Sequence, residues 1–152
     1  MRVHSRVYHL RGSEVRALAT VGAFRVVPTE DLREATGRTA DTRTGDLYRL
    51  REAGLVRTVP YGVGRDRTTL VVLTEEGREL LESHRLPADG RSQAFYAGLV
   101  KPREVPHDSH VYRAYLRAAD RLVARGAVIR RVALDYELKR DYQRFLQHRN
   151  RE

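Results

Sequence analysis

Apolar and polar positions change period several times along the first eighty residues. From Ser13 to Phe24 the spacing is helical, with Val15, Leu18, Ala19 and Gly22 on one face and Ser13 placed as the N-cap. Arg25-Val26-Val27 reads as extended, and Pro28 agrees, because a residue before proline is pushed out of the helical region. Thr29 then caps a second predicted helix, with Glu30 and Asp31 at its positive end and Gly37 as its stop. A third is predicted from Thr39 or Ala40 to Ala53, with Leu47, Leu50 and Ala53 inward and Gly54 ending it. Leu55–Val59 and Thr69–Leu73 are β-rich and flank Pro60-Tyr61-Gly62-Val63-Gly64-Arg65-Asp66-Arg67-Thr68, a hairpin. Thr74 caps a fourth helix ending near His84, with Leu80 and Leu81 apolar.

The pattern changes at Leu86. Up to Asp108 the chain carries Pro87, Gly90, Gly98, Pro102 and Pro106, the composition of a linker, although Gln93–Val100 is apolar enough to pack down as a strand. A fifth helix, capped by Asp108 or Ser109, runs to Arg125 and stops at Gly126. Val111, Tyr115, Ala118 and Leu122 form one stripe beside Tyr112, Leu116, Ala119 and Val123. Val128–Leu134 is predicted as a short strand. Asp135 caps a last helix to the C-terminus, with Leu138, Tyr142, Phe145 and Leu146 apolar. The partition is therefore 1–85, a linker 86–108, and a helix-strand-helix extension 109–152. The apolar stripes of the extension exceed what it can bury alone, so a homodimer is expected.

The order helix, strand, helix, helix, hairpin over 15–81 defines a winged helix-turn-helix, and the fold class is mixed α/β, mainly α. Such an arrangement holds one helix in a DNA major groove. The non-core face of 39–53 offers Thr39, Asp41, Thr42, Arg43, Asp46 and Arg49. Arg43 suits bidentate guanine recognition, and Thr39 and Thr42 suit phosphates or a thymine methyl. In the hairpin 60–69, Tyr61, Arg65, Arg67 and Thr68 are the candidates for backbone or minor-groove contact.

Leu47-Tyr48-Arg49-Leu50-Arg51-Glu52-Ala53-Gly54-Leu55-Val56 and Leu73-Thr74-Glu75-Glu76-Gly77 resemble the helix-to-strand junction and the following helix start of MarR-type winged helices. The arrangement is also similar to the replication-relaxation proteins of mobile elements, which open with such a domain. Val105–Arg140 is similar to the sequence after that domain in those longer proteins. The resemblance implies regulation of transcription, or replication and mobilisation control, with double-stranded DNA as partner and no cofactor. Two departures count. MarR-type proteins flank the winged helix with long helices at both ends, and the N-terminal stretch here is short. The restriction-endonuclease-like core of the longer proteins has no room, so the chain reads as a fragment of such a longer protein.

Composition adds less. The 152 residues include 29 Lys plus Arg against 20 Asp plus Glu, a net charge of +9 that favours a polyanionic partner. Residues 1–85 hold 15 basic and 12 acidic groups, and 86–152 hold 14 and 8, so the excess lies outside the expected groove-reading half. Arg113, Arg117, Arg121 and Arg125 recur every four residues; with Arg130 and Arg131 they form a candidate accessory basic surface, with Lys139 and Arg140 near in sequence. Asp135, Glu137 and Lys139 echo a metal-dependent nuclease, but Asp135 as cap and Glu137 in a first helical turn explain the same letters. His107 and His110 lack the partners a metal site needs. No cysteine, no signal-peptide pattern and no membrane-spanning run occurs, so a cytoplasmic prokaryotic protein is expected.

Overall fold

The computed structural model describes residues 1–3, 5–34, 37–84 and 92–149. Strands β1 (Arg2–Val3) and β2 (Arg6–Val7) pair at the N-terminus, and α1 (Gly12–Phe24) leads into β3 (Val27–Pro28). α2 (Gly45–Glu52) precedes the hairpin of β4 (Val56–Val63) and β5 (Asp66–Leu73). α3 (Glu75–His84), a 3₁₀ turn at Pro102–Glu104, α4 (Val105–Ala124) and α5 (Asp135–Arg149) follow. The result is a mixed α/β fold around a three-stranded antiparallel sheet ordered β3-β5-β4.

Leu70-Val71-Val72-Leu73 explains that order. Successive side chains of a strand point to opposite faces, so Val71 and Leu73 join Leu18, Val21, Leu47, Leu50 and Leu80 in the main core. Leu70 and Val72 join Val26, Val100 and Val105 in a second cluster on the other side. A strand covered on both faces needs a continuous apolar run. Each fully buried Leu or Val contributes about 1.5–3 kcal/mol, more than a surface ion pair, so this double cover outweighs the polar contacts around it.

The cover over the second face comes from the stretch read as a linker. No strand forms at Gln93–Val100; the segment instead docks through Tyr96 N–H on the Gly22 carbonyl (2.9 Å) and Gly98 N–H on the Leu73 carbonyl (2.8 Å), with Phe95 against the main core. Leu86–Arg91, the rest of that apolar-poor start, lies outside the described residues. The predicted strand Val128–Leu134 is also absent. The Gln93 side chain substitutes for a neighbouring strand: its Oε1 accepts from Val132 N–H (2.9 Å) and its Nε2 donates to the Val132 carbonyl (3.0 Å).

The second predicted helix does not form. Thr29, expected as its cap, gives both its N–H (2.8 Å) and its hydroxyl (2.7 Å) to the Thr69 carbonyl at the sheet edge. One turn closes on the Pro28 carbonyl, and a loop returns through an Arg33–Thr39 bridge and Ala40 N–H to Leu32 (2.8 Å). Leu32 is the single large apolar anchor there. So short a helix, with no stripe to bury, is not self-supporting. The third helix starts at Gly45 rather than at 39 or 40. Asp41 accepts the Arg43 N–H (2.7 Å), a turn that competes with helix, and the Glu34 carboxylate caps the Asp46 N–H (2.9 Å). Gly45 has φ +75°, and a Cβ there would collide with that carboxylate.

Helix ends follow the sequence more closely. Gly54 N–H bonds Arg51 (2.9 Å) and Leu55 N–H bonds Leu50 (3.0 Å), a Schellman ending for α2. Thr74 caps α3 by accepting Gly77 N–H (3.1 Å), while its hydroxyl donates to the Gly54 carbonyl (2.7 Å). A Cβ on Gly77 would collide with the Leu55 carbonyl, so α3 starts directly on the α2–β4 turn. α1 begins at Gly12, one residue before the expected cap Ser13, with Glu14 closing on the Arg11 N–H (2.8 Å). Its buried face is Ala17, Leu18, Val21 and Phe24, so Val15 and Ala19 sit at its margin. α4 starts at Val105, ahead of the expected Asp108 or Ser109 cap, because Pro106 fits a first helical turn.

The extension packs through the first half of α4, the segment at Val132–Leu134 and the start of α5. Tyr112 is buried against Phe24, with ring centroids 4.9 Å apart, whereas Leu122 and Val123 lie 47% and 59% exposed. The tie between the two halves is Arg25. It occupies a γ-turn (Val26 N–H to the Phe24 carbonyl, 2.7 Å) at φ +67°, a strained geometry for a non-glycine residue. Its Nε (2.9 Å) and Nη2 (2.8 Å) both donate to Asp108 Oδ2 in α4, and its guanidinium rests against the paired rings of Tyr96 (5.2 Å) and Tyr136 (4.7 Å). Burial raises the Asp108 carboxyl above its ordinary pKa, and the pull of Arg25 in the other direction does not cancel this. A buried pair of this kind specifies docking geometry more than it adds net stability, because taking both charges out of water costs much of what their attraction returns. Asp108→Asn leaves buried Arg25 with only the longer contact to Glu104 (3.9 Å) and lowers unfolding stability by about 1–3 kcal/mol in urea titration. The Arg25→Met/Asp108→Leu double variant loses less than the two single losses together; strict additivity counts against the coupling.

Candidate nucleic-acid interface

The fully registered β4–β5 pairing, from Val56 opposite Leu73 to Val63 opposite Asp66, leaves a two-residue turn at Gly64-Arg65. Gly64 takes φ +63°, the sign that a tight hairpin needs at its first turn position. Arg65 therefore stands at the tip, Arg67 opposite Gly62 and Thr68 opposite Tyr61. The hairpin is longer than the predicted β segments, whose joining loop 60–68 is mostly strand.

A cleft of about 930 Å³ opens between this hairpin and the loop before α2. Thr39, Asp41 and Thr42 form one bank, and Tyr61, Arg67 and Thr68 the other, with Glu30 also lining it. The structure thus unites six of the nine sequence candidates, although Thr39, Asp41, Thr42 and Arg43 lie on a loop and not on a helix. Arg43 and Arg65 are exposed beside the cleft. Among the described residues neither they nor Arg67 makes an ion pair. Exposed Arg33, which donates to Thr39 Oγ1 (3.1 Å) at the loop bank of the cleft, went unmarked in the sequence, because a helix over 29–37 would have pointed it elsewhere.

Arg49 is elsewhere. Its Nε donates to Glu14 Oε1 and its Nη2 to Asp46 Oδ1 (2.6 Å), and both carboxylates are buried. It braces α2 against α1 and is not presented at the cleft. Arg113, counted in the basic surface, is also engaged: Nε holds Asp31 (2.7 Å) and Nη2 holds Glu30 (3.2 Å). This cancels two carboxylates next to the cleft that would repel phosphate. Arg131 donates to the Ser92 carbonyl (3.1 Å) and to Glu137 (2.9 Å). Arg117, Arg121 and Arg130 remain exposed.

The other candidates take structural positions. Buried Glu137 accepts the Leu134 N–H (3.3 Å) and the Arg131 guanidinium, closing the start of α5. Asp135 lies near Lys139 (3.4 Å) and His107 (3.9 Å). Slight burial opposes its ionisation, but the Lys139 hydrogen bond and charge, with His107, hold its carboxyl below the ordinary value. Among the described residues no group of three or more His, Asp or Glu side chains is placed to hold a metal ion, and no helix is long and apolar enough to cross a membrane.

The chain matches no family model, no curated protein and no solved structure. The interface consequently stands on its own geometry. Arg49→Ala strands two buried carboxylates and lowers the melting temperature by several degrees in a calorimetric scan. Arg43→Ala leaves that temperature within scatter; equal losses from both variants contradict this division of roles.

Proposed function

We propose that the chain binds double-stranded DNA as a winged helix-turn-helix protein and acts as a transcriptional regulator. The observation that carries the reading is the cleft between loop 39–42 and the hairpin, lined by Arg67 and flanked in sequence by exposed Arg43 and Arg65, none of which makes an ion pair among the described residues. The sequence of α1, β3, α2 and the β4–β5 hairpin, with β5 central, supports it. The hydrogen-bonded stretches 32–34 and 37–40 take the place of the usual second helix. Loop 38–44 with the start of α2 enters the major groove, where Arg43 forks onto a guanine and Thr39 and Thr42 meet the backbone or a thymine methyl. The hairpin lies along the flanking strand and sets Arg65 and Arg67 on phosphates or in the minor groove. Two copies pair in this reading, because Leu138, Tyr142 and Phe145 lie on one side of α5 with exposures of 58, 62 and 58%. Sedimentation then gives a dimer for the wild type and a monomer for Tyr142→Glu.

Selection from a random duplex pool at two salt concentrations tests the DNA reading. The wild type enriches a motif. Arg43→Ala relaxes it at one base pair, with a loss of about 1–3 kcal/mol there. Arg65→Ala/Arg67→Ala weakens all sequences alike and reduces the slope of log affinity against log salt by about 1.8. Undiminished affinity in the variant lacking all three arginines overturns the proposal.

A further inference from the structure

We infer that the solvent face of α4 is a second phosphate-binding surface, which extends the DNA footprint beyond the hairpin; this rests on the DNA reading above. On the far side of the hairpin a second cleft, of about 600 Å³, is lined by Arg65 and Arg67 and, across from them, by Ser109, His110 and Arg113 of α4. The hairpin arginines therefore face the beginning of that helix directly. At 100° per residue, His110, Arg117, Arg121 and Arg125 fall along the centre of the side opposite buried Val105, Ser109 and Tyr112, and all four are exposed. From His110 to Arg125 this row is about 22 Å long at 1.5 Å per residue.

Position along the row matters. Arg113 is spent on Glu30 and Asp31, so it neutralises two carboxylates beside the start of the track. Asp66 stands between Arg65 and Arg67 on the hairpin side of the cleft. Arg117, Arg121 and Arg125 make no ion pair among the described residues, and Asp120, the one carboxylate in that half of the helix, is not paired with them either. Unpaired arginines one helical turn apart form a line of forked donors suited to successive backbone phosphates. The residues between them are Ala114 and Ala118, both exposed. The exposed bulky apolar residues of this helix, Leu122 and Val123, lie roughly 100° or more around from the centre of the row. A membrane-seeking helix would place them beside the cations along its whole length, so the occupant is duplex DNA and not a lipid surface. At ~3.4 Å per base pair along each strand, the row covers about six or seven base pairs past the hairpin contact.

The experiment compares the full chain with its Arg117→Gln/Arg121→Gln/Arg125→Gln variant by fluorescence anisotropy. Two labelled duplexes are used, a long one and one trimmed by about seven base pairs on either side of the selected motif, across a salt series. Circular dichroism confirms that the variant folds. On the long duplex the variant loses at least about tenfold in affinity, and its salt slope falls by about 2.7, or 0.9 per lost phosphate contact. On the trimmed duplex the two proteins bind alike. The corresponding triple lysine variant keeps most of the long-duplex affinity. Equal binding of wild type and glutamine variant to the long duplex, while Arg65→Ala/Arg67→Ala still weakens it, overturns the α4 surface alone. Wild-type protein that binds neither duplex overturns the DNA reading and this inference with it. Row-dependent adsorption to phosphatidylserine–phosphatidylcholine vesicles, with no row-dependent binding to DNA, assigns the face to membranes and also overturns it.

Discussion

The contact between Arg25 and Asp108 joins more of this molecule than any other polar interaction. The arginine belongs to the turn after α1, its carboxylate partner to α4, and the rings that enclose it to the covering segment and to α5. A guanidinium suits the task because it can rest against the paired Tyr96 and Tyr136 rings while its N–H groups donate to Asp108. The positive φ at Arg25 fits a residue held by its surroundings rather than by local preference. Four residues downstream lies the Thr29–Asp31 turn, which is fixed at the sheet edge by Thr69 and on α4 by Arg113. The placement of one wall of the cleft is thus coupled to the docking of the C-terminal half.

The most recognisable letters of the chain describe a joint. Gly54-Leu55 ends α2, Thr74 bonds back onto that turn, and Gly77 lets α3 lie on the Leu55 carbonyl. The two stretches that resemble a winged helix are therefore one contact seen twice in the sequence. They inform about how α2, the hairpin and α3 meet, and carry no information about what the exposed loop touches. Hairpin position, α2 ending and α3 capping were legible because each depends on a glycine or a threonine hydroxyl acting within a few residues.

What the sequence concealed depends on distant partners. Residues 29–37 have the composition of a capped helix, yet Thr29 is drawn to Thr69, forty positions away, and Leu32 has no apolar companion to make a helical face. The late start of α2 depends on Glu34, and the absence of a strand at 128–134 on the side chain of Gln93. Arg49 looked like a reader of bases until α1 supplied buried Glu14. One local signal went unused: four apolar residues in succession at 70–73 announce a strand covered on both faces, and so require the supposed linker to pack. The basic excess divides in the same way, since some arginines face solvent while Arg25, Arg49, Arg113 and Arg131 serve as internal struts.

The double cover of β5 has a mechanical meaning for the hairpin. Its base at Leu70–Leu73 is gripped between two apolar clusters, whereas Gly62, Gly64, Arg65, Asp66 and Arg67 towards the tip are exposed. It is a clamped beam: ladder hydrogen bonds supply stiffness along it, and the grip at the root sets its angle. Displacement at Arg65 is resisted not by anything near the tip but by Val72 against Val100 and Val105. A cavity opened at that root would let the arm swing, blurring the position of charges several residues away while every residue at the tip stayed the same.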